Sequence, residues 1–167
     1  VAIEYEAELA AVITITGRHL SADEALDHVA GYTIFNDTTS RDLQFGLCVG
    51  DEEMLDWFSG KAMQATTPIG PYIVVDEIEE PQDLAIASRV DGKTMQDDTT
   101  GMMVRSVADL VSFVSSRVLL EPGDIIATGT PEGVGAFQDI TLQEDETVEV
   151  DIEGIGTLRN RVESVPE

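Results

Sequence analysis

Six residues near the start limit what this chain can become. Glu4-Tyr5-Glu6-Ala7-Glu8-Leu9 sets three acids at alternate positions and runs straight into the apolar stretch from Leu9 to Ile15. In a strand, side chains two apart share a face, so Glu4, Glu6 and Glu8 point one way and Tyr5, Ala7 and Leu9 the other. Same-face neighbours then stand about 6.6–7 Å apart. Stacking carboxylates beside an apolar run is unfavourable unless a cation compensates them. The alternation also suits a solvated strand face, and the segment alone leaves both readings open.

A second segment bears on the choice. After Gly31, a short apolar stretch runs into Asn36-Asp37, followed by Thr38-Thr39-Ser40-Arg41-Asp42-Leu43-Gln44. This order places the Asp37 carboxylate at a strand end. Three carboxylates from two strands can present oxygens at one point, and an all-oxygen site suits Mg²⁺, Mn²⁺ or Ca²⁺ rather than zinc. Asp37 serves equally well as a turn cap. Arg41 and Asp42 read as a structural ion pair or loop staple.

The 167 residues are one domain's worth of chain, and a hydrophobic fraction of 43% argues for a globular fold. No apolar run approaches the ~20 residues of a membrane span. The chain opens in what reads as mid-strand, without Met and without a signal-peptide pattern. Charge is extreme: 33 Asp plus Glu against 9 Lys plus Arg, a formal net charge of −24. Such a field repels phosphate backbones and anionic headgroups, which argues against nucleic-acid and membrane-surface partners. The acids are dispersed, and Lys61 and Lys93 are the only lysines. That pattern suits a halophilic protein, in salt where the Debye length falls to ~3 Å. One cysteine, Cys48, excludes an intrachain disulfide and a Cys-rich zinc site, and a reducing cytoplasm is the expected setting.

The local signals predict a mixed fold, mostly antiparallel β with two packed helices. A strand is predicted from Glu4 to Thr16. Ser21-Ala-Asp-Glu24 is a capping box whose helix runs through Ala25, Leu26 and Val29 and stops at Gly31. Ser106-Val-Ala-Asp109 repeats the device, and Val107, Leu110, Val111 and Val114 form one apolar helical face that ends before Glu121-Pro122-Gly123. Strands are predicted at Tyr72 to Val75, Asp124 to Ala127, Val148 to Ile152 and Thr157 to Val162. Leu84 to Val90 and Thr94 to Gln96 flank Asp91-Gly92, a hairpin signal.

Among other groups, Lys61 follows Trp57-Phe58-Ser59-Gly60 in a chain almost without lysine, which points to a specific anion contact. The spacing of a P-loop is missing, since Ala62 follows the Lys. Thr128 to Gly135 is a glycine-rich loop whose amides and hydroxyls, Gly129 and Thr130 among them, can cradle a carboxylate. His19 and His28 lie outside these motifs and read as surface residues, Cys48 lacks a base partner, and Met102-Met103 reads as core filler.

Taken in order, these segments resemble the fumarylacetoacetate hydrolase family, specifically its C-terminal catalytic domain, over essentially all of residues 1–167. The resemblance rests on Tyr5-Glu-Ala-Glu-Leu9, Gly31-Tyr32, Asn36 to Gln44, Gly60-Lys61 and Pro68-Ile-Gly-Pro71. It continues through Val90-Asp-Gly92 with Gln96, Leu120 to Pro131, Gly133-Val-Gly135, Gly154-Ile-Gly-Thr-Leu158 and Asn160. It implies an α+β, mostly β fold, a mixed β-sandwich or roll with two short packed helices, in a homodimer. Glu6, Glu8 and Asp37 are then metal ligands for Mg²⁺, with Mn²⁺ or Ca²⁺ as alternatives, and Glu4 is an outer neighbour. Gln44, Lys61 and Thr130 match positions that contact substrate oxygens.

The activity implied is metal-dependent hydrolysis of a C–C bond in an acylpyruvate-like 2-oxo acid, through a metal-bound enolate. The same apparatus serves a decarboxylase or isomerase of 2-oxo dicarboxylates, of oxaloacetate or 2-hydroxyhepta-2,4-diene-1,7-dioate type, and a non-catalytic metal- or carboxylate-binding module is the reading from another class. Hydrolytic members resemble one another in a His–Glu pair on a lid segment well before the first metal ligands. This chain starts after that position, so the lid is expected to be absent from it. Charge gives a separate expectation. Folding stability rises with KCl well above 1 M, where screening of exposed charges is already nearly complete; denaturant melts across a KCl series check it, and a flat response contradicts it.

Overall fold

A computed structural model describes residues 2–49 and 52–164, with the backbone alone at 47–49, 52 and 53. The first strand signal divides in two. Ile3–Glu4 forms β1 and Ala7–Ile13 forms β2, with Tyr5 and Glu6 between them outside any ladder. The cause lies in Asn36, whose side-chain Oδ1 accepts the Glu6 N–H at 3.0 Å, while the Asp37 N–H donates to the Glu6 carbonyl at 2.9 Å. These bonds take the place of ladder partners and let the chain change sheets.

The helix after Ser21 is also shorter than the sequence predicts. Its capping box forms, but α1 covers only Ala22–Ala25 and tightens into a 3-10 turn over Leu26–His28. Val29 then opens a strand, β3, Val29–Asn36, so Gly31 lies within a strand. Thr39–Ser40 forms β4, which pairs with β1. Two short helices follow that carry too few turns to show periodicity, α2 at Arg41–Gln44 and α3 at Trp57–Lys61. Between them β5, Leu47–Val49, and β6, Glu52–Met54, make a hairpin; the side chain of Cys48 lies outside the described residues.

The remaining strands follow the sequence reading closely. They are β7 (Ile69–Val74), β8 (Ala85–Val90), β9 (Lys93–Thr99), β10 (Ile125–Ala127), β11 (Thr147–Ile152) and β12 (Gly156–Arg161). Asp91 and Gly92 both take positive φ, as a two-residue hairpin turn requires. The long helix α4, Val107–Arg117, begins in the Ser106–Asp109 capping box.

Two four-stranded antiparallel sheets result, ordered β10-β2-β3-β7 and β12-β11-β8-β9. Leu9, Ala11 and Ile13 of β2 and Ile34 of β3 meet Ile86 of β8, Val150 and Ile152 of β11 and Leu158 of β12 in one apolar cluster. Val107 and Val111 of α4 and Ala25 of α1 close its edge. This is the α+β, mostly β sandwich expected. Met103 packs partly against this core, but Met102 is 71% exposed, so the pair is not simply core filler. Among the described residues no helix is long and apolar enough to cross a membrane.

The core fixes where the acids go. With Tyr5, Ala7 and Leu9 fully buried on one side, Glu4, Glu6 and Glu8 are carried to the other, yet they are only 2%, 6% and 4% exposed. The solvated-face reading is thereby excluded.

Candidate metal centre

Glu6, Glu8 and Asp37 each offer one carboxylate oxygen to a point where these atoms lie within 4.8 Å of one another. Glu6 and Glu8 come from the chain entering β2 and from β2 itself, and Asp37 from the residue after β3. The register pairs Ala7 with Asn36, so the two sequence segments meet by ordinary strand pairing. The wrap of Asn36 and Asp37 around the Glu6 backbone then brings the Asp37 carboxylate inward.

Two cations stand among the acids. Arg41 Nε donates to Glu4 and Arg41 Nη2 to Glu6 Oε1, while Lys61 Nζ donates to Glu6 Oε2 at 2.7 Å and to Asp37 Oδ2. The result is a chain of alternating charge, Glu4–Arg41–Glu6–Lys61–Asp37. Gly60 makes it sterically feasible. A Cβ there would lie 2.8 Å from the Gln44 Cβ, so only glycine lets α3 approach α2 closely enough to bring Lys61 beside Arg41. Burial works to discharge Lys61, but its hydrogen bonds to Asp37 and Glu6 outweigh that and hold its pKa above the usual value.

Glu8 stands outside this chain. Its Oε2 accepts the Gly129 N–H at 2.8 Å, and among the described residues it has no salt-bridge partner. Burial pushes its pKa up, the Asp37 and Glu6 charges add to the push, and the Gly129 amide and Lys61 pull against it, leaving it at about 7.

A hard divalent cation fits this donor set. All three donors are carboxylate oxygens. Mg–O distances of ~2.0–2.1 Å set ligand oxygens ~2.9 Å apart at adjacent octahedral positions and ~4.2 Å apart at opposite ones, so coordination draws the three oxygens together and displaces Lys61 from its bridge between Glu6 and Asp37.

The centre forms the floor of a cleft of about 670 Å³. Arg41, Lys61 and the loop residues Gly129 and Thr130 line it, and Trp57, Pro131, Val134 and Phe137 give it an apolar mouth, with Glu132 beside them. The structure brings Lys61, Gly129 and Thr130, expected from the sequence to contact substrate, to this cleft. The sequence does not mark Arg41, which pairs with Glu4 and Glu6 rather than Asp42, or the aromatic mouth as parts of it. Two expected substrate contacts are otherwise engaged: Gln44 is fully buried with its Oε1 accepting from Arg41 Nη1 at 2.6 Å, and the Gly129 N–H is committed to Glu8. The histidines take no part in the cleft: His19 is exposed, and His28, partly exposed, has its Nδ1 2.9 Å from the Ile15 carbonyl.

The family model described as fumarylacetoacetate (FAA) hydrolase C-terminal matches residues 1–163. The chain belongs to the fumarylacetoacetate hydrolase family. Oxaloacetate tautomerase YisK of Bacillus subtilis is 40% identical over 163 residues, covering 96% of this chain and 52% of its own. The crystal structure of 5-carboxymethyl-2-hydroxymuconate delta-isomerase from Mycobacterium smegmatis superposes with a TM-score of 0.86 at 34% identity, over 99% of this chain and 61% of that one. Fumarylpyruvate hydrolase from Pseudomonas aeruginosa, solved with Mn²⁺ and pyruvate, superposes with a TM-score of 0.85 at 35% identity, over 97% and 66%. This family member spans about half to two thirds of the length of those relatives. They share a fold and differ in the reaction named for them.

Glu8 gives the centre a testable pH dependence. In the metal-free protein its pKa is raised from 4.5 to about 7, so the folded state holds a proton that the unfolded chain releases. Its contribution to stability is present at acid pH and is lost as pH rises from 4.5 to about 7, at ~1.4 kcal/mol per unit and ~3 kcal/mol in all. Metal binding runs the other way, strengthening up to about tenfold per pH unit below 7 because the ion displaces the proton. Comparing metal-free melts of wild type and Glu8→Gln across that range isolates the first effect, and Mg²⁺ titrations of the wild type read the second. A stability difference between wild type and Glu8→Gln and a Mg²⁺ affinity that are both independent of pH contradict the assignment.

Proposed function

We propose that this chain carries the metal centre of a divalent-metal-dependent enzyme acting on small 2-oxo acids, with Glu6, Glu8 and Asp37 as the ligands. The reaction proposed is proton transfer beside the oxo group, as in keto–enol tautomerisation or double-bond isomerisation. The observation carrying this reading is the convergence of two buried carboxylates, Glu6 and Glu8, and the half-buried Asp37 in a cleft that also holds Lys61 and Thr130. An ion bound there supplies Lewis acidity, polarising a carbonyl and offsetting the charge of a substrate carboxylate.

The side chains do the rest. Lys61 Nζ carries a proton at the cleft and supplies positive charge where an enolate oxygen develops. Arg41, held by Glu4 and Gln44, adds a second fixed cation beside Glu6. The Thr130 hydroxyl binds a substrate oxygen opposite the carboxylates. Trp57, Val134 and Phe137 receive the part of the substrate beyond its 2-oxo acid head and keep water from that side.

Proton transfer is favoured over hydrolysis by the similarity to an oxaloacetate tautomerase and to a delta-isomerase. Hydrolysis of an acylpyruvate is the second reading, favoured by the similarity to fumarylpyruvate hydrolase.

Calorimetric titration with Mg²⁺, followed by absorbance assays of enol-oxaloacetate decay and acetylpyruvate cleavage, tests the proposal. Wild type should bind the ion and accelerate enol decay, and Glu6→Gln or Asp37→Asn should lose at least about tenfold in both. Acetylpyruvate cleavage without tautomerase activity moves the assignment to the second reading. Metal binding with neither activity leaves a binding module.

A further inference from the structure

We infer that Gln96 is a positioning residue that fixes the direction in which the Thr130 hydroxyl donates its proton. The inference rests on reading the cleft as a 2-oxo acid site and adds to it a residue that touches neither metal point nor cleft.

Gln96 lies in β9, only 2% exposed, and all of its side-chain bonds run to other parts of the fold. Its Oε1 accepts from the Ala7 N–H at 3.1 Å and from the Ser88 hydroxyl at 2.9 Å. Its Nε2 donates to the Pro131 carbonyl at 2.9 Å and to Thr130 Oγ1 at 2.8 Å. The chemistry of the partners settles which amide atom is which. A backbone N–H only donates, so the atom beside Ala7 is the oxygen; a carbonyl only accepts, so the atom beside Pro131 is the nitrogen. Thr130 Oγ1 therefore accepts from Gln96.

A hydroxyl has one proton. With Thr130 Oγ1 accepting from Gln96, that proton cannot point back at the amide and is left to donate on the other side. Among the described residues the Thr130 hydroxyl donates to no protein acceptor, and Thr130 lines the cleft that holds Glu6, Glu8 and Lys61. The cleft thus presents a hydroxyl poised as a donor toward a substrate oxygen.

Gln96 also sets where the hydroxyl stands. Ala7 is the residue between Glu6 and Glu8, so one amide ties the strand bearing two metal-point carboxylates to the loop bearing Thr130. The loop comes this close because residue 133 is glycine. At φ +100° its Cβ would stand 2.4 Å from the Met95 carbonyl.

Gln96→Glu keeps the shape and the acceptor facing Ala7 and Ser88, but it removes the donor, so the Thr130 proton turns away from the cleft. The experiment measures oxalate binding to the Mg²⁺-loaded full chain, with Mg²⁺ affinity and thermal midpoint alongside, and kcat/KM for enol-oxaloacetate where turnover is present. Gln96→Glu and Thr130→Val should each weaken oxalate binding roughly tenfold, as for one lost hydrogen bond. The double variant should be no worse than either alone, Thr130→Ser should restore binding, and Mg²⁺ affinity should stay within about twofold. Multiplying losses, or a Gln96→Glu protein that binds oxalate like wild type, overturn the inference. Neutron diffraction on the wild-type protein tests it without any variant: the Thr130 deuterium directed into the cleft supports it, and a deuterium directed at Gln96 overturns it. Oxalate binding with this pattern but no turnover of any 2-oxo acid sinks the proposed function and leaves the role of Gln96 standing.

Discussion

The alternating chain Glu4–Arg41–Glu6–Lys61–Asp37 is the interaction on which the rest depends. It begins at the entrance to a strand whose other face is the apolar core, so its acids cannot escape to solvent without unpacking Tyr5, Ala7 and Leu9. Buried carboxylates are tolerated only when paired and hydrogen-bonded. Arg41 and Lys61 meet that demand for Glu4, Glu6 and Asp37, and among the described residues every buried side-chain nitrogen and oxygen has a partner. Glu8, beside them, has an amide but no cation. A centre with two compensated acids and one uncompensated acid is arranged to accept further positive charge.

Much of the surrounding architecture holds that arrangement in place. Asn36 takes the Glu6 amide out of the ladder and frees the chain to turn; Gly60 lets the helix bearing Lys61 settle on the helix bearing Arg41. Gln44 stands behind Arg41 and Gln96 stands behind Thr130, each a buried amide that orients a group at the cleft. Metal ligands and substrate contacts are only as well placed as the groups behind them. In this fold those supports come from four different segments, which explains why the family's motifs are scattered along the whole chain.

What the sequence made legible follows from the range of the forces involved. The Ser106–Asp109 box, the Asp91-Gly92 turn and the strand alternation are local, and they appear where expected. Glu6, Glu8 and Asp37 were legible as candidates because acids placed against an apolar strand demand compensation. The break at Glu6 was not, because a side chain thirty residues away makes it. Helices α2 and α3 are single turns, too short for a period to show, and Val29 changes from helix to strand through a 3-10 turn that propensity does not mark. Arg41 stands beside Asp42 in the sequence, whereas its partners are Glu4 of β1 and Glu6 of the link to β2. The apolar mouth is assembled from Trp57 of α3 and from Val134 and Phe137 after β10, and has no sequence signature.

Anomalous diffraction from crystals grown with Mn²⁺ examines the metal centre most directly. One ion should stand within about 2.0–2.6 Å of an oxygen from each of Glu6, Glu8 and Asp37, the range of hard divalent cations on oxygen ligands, with Lys61 no longer bridging Glu6 and Asp37. Saturating Mn²⁺ that leaves the lysine bridge intact, or an ion bound elsewhere, would contradict the account.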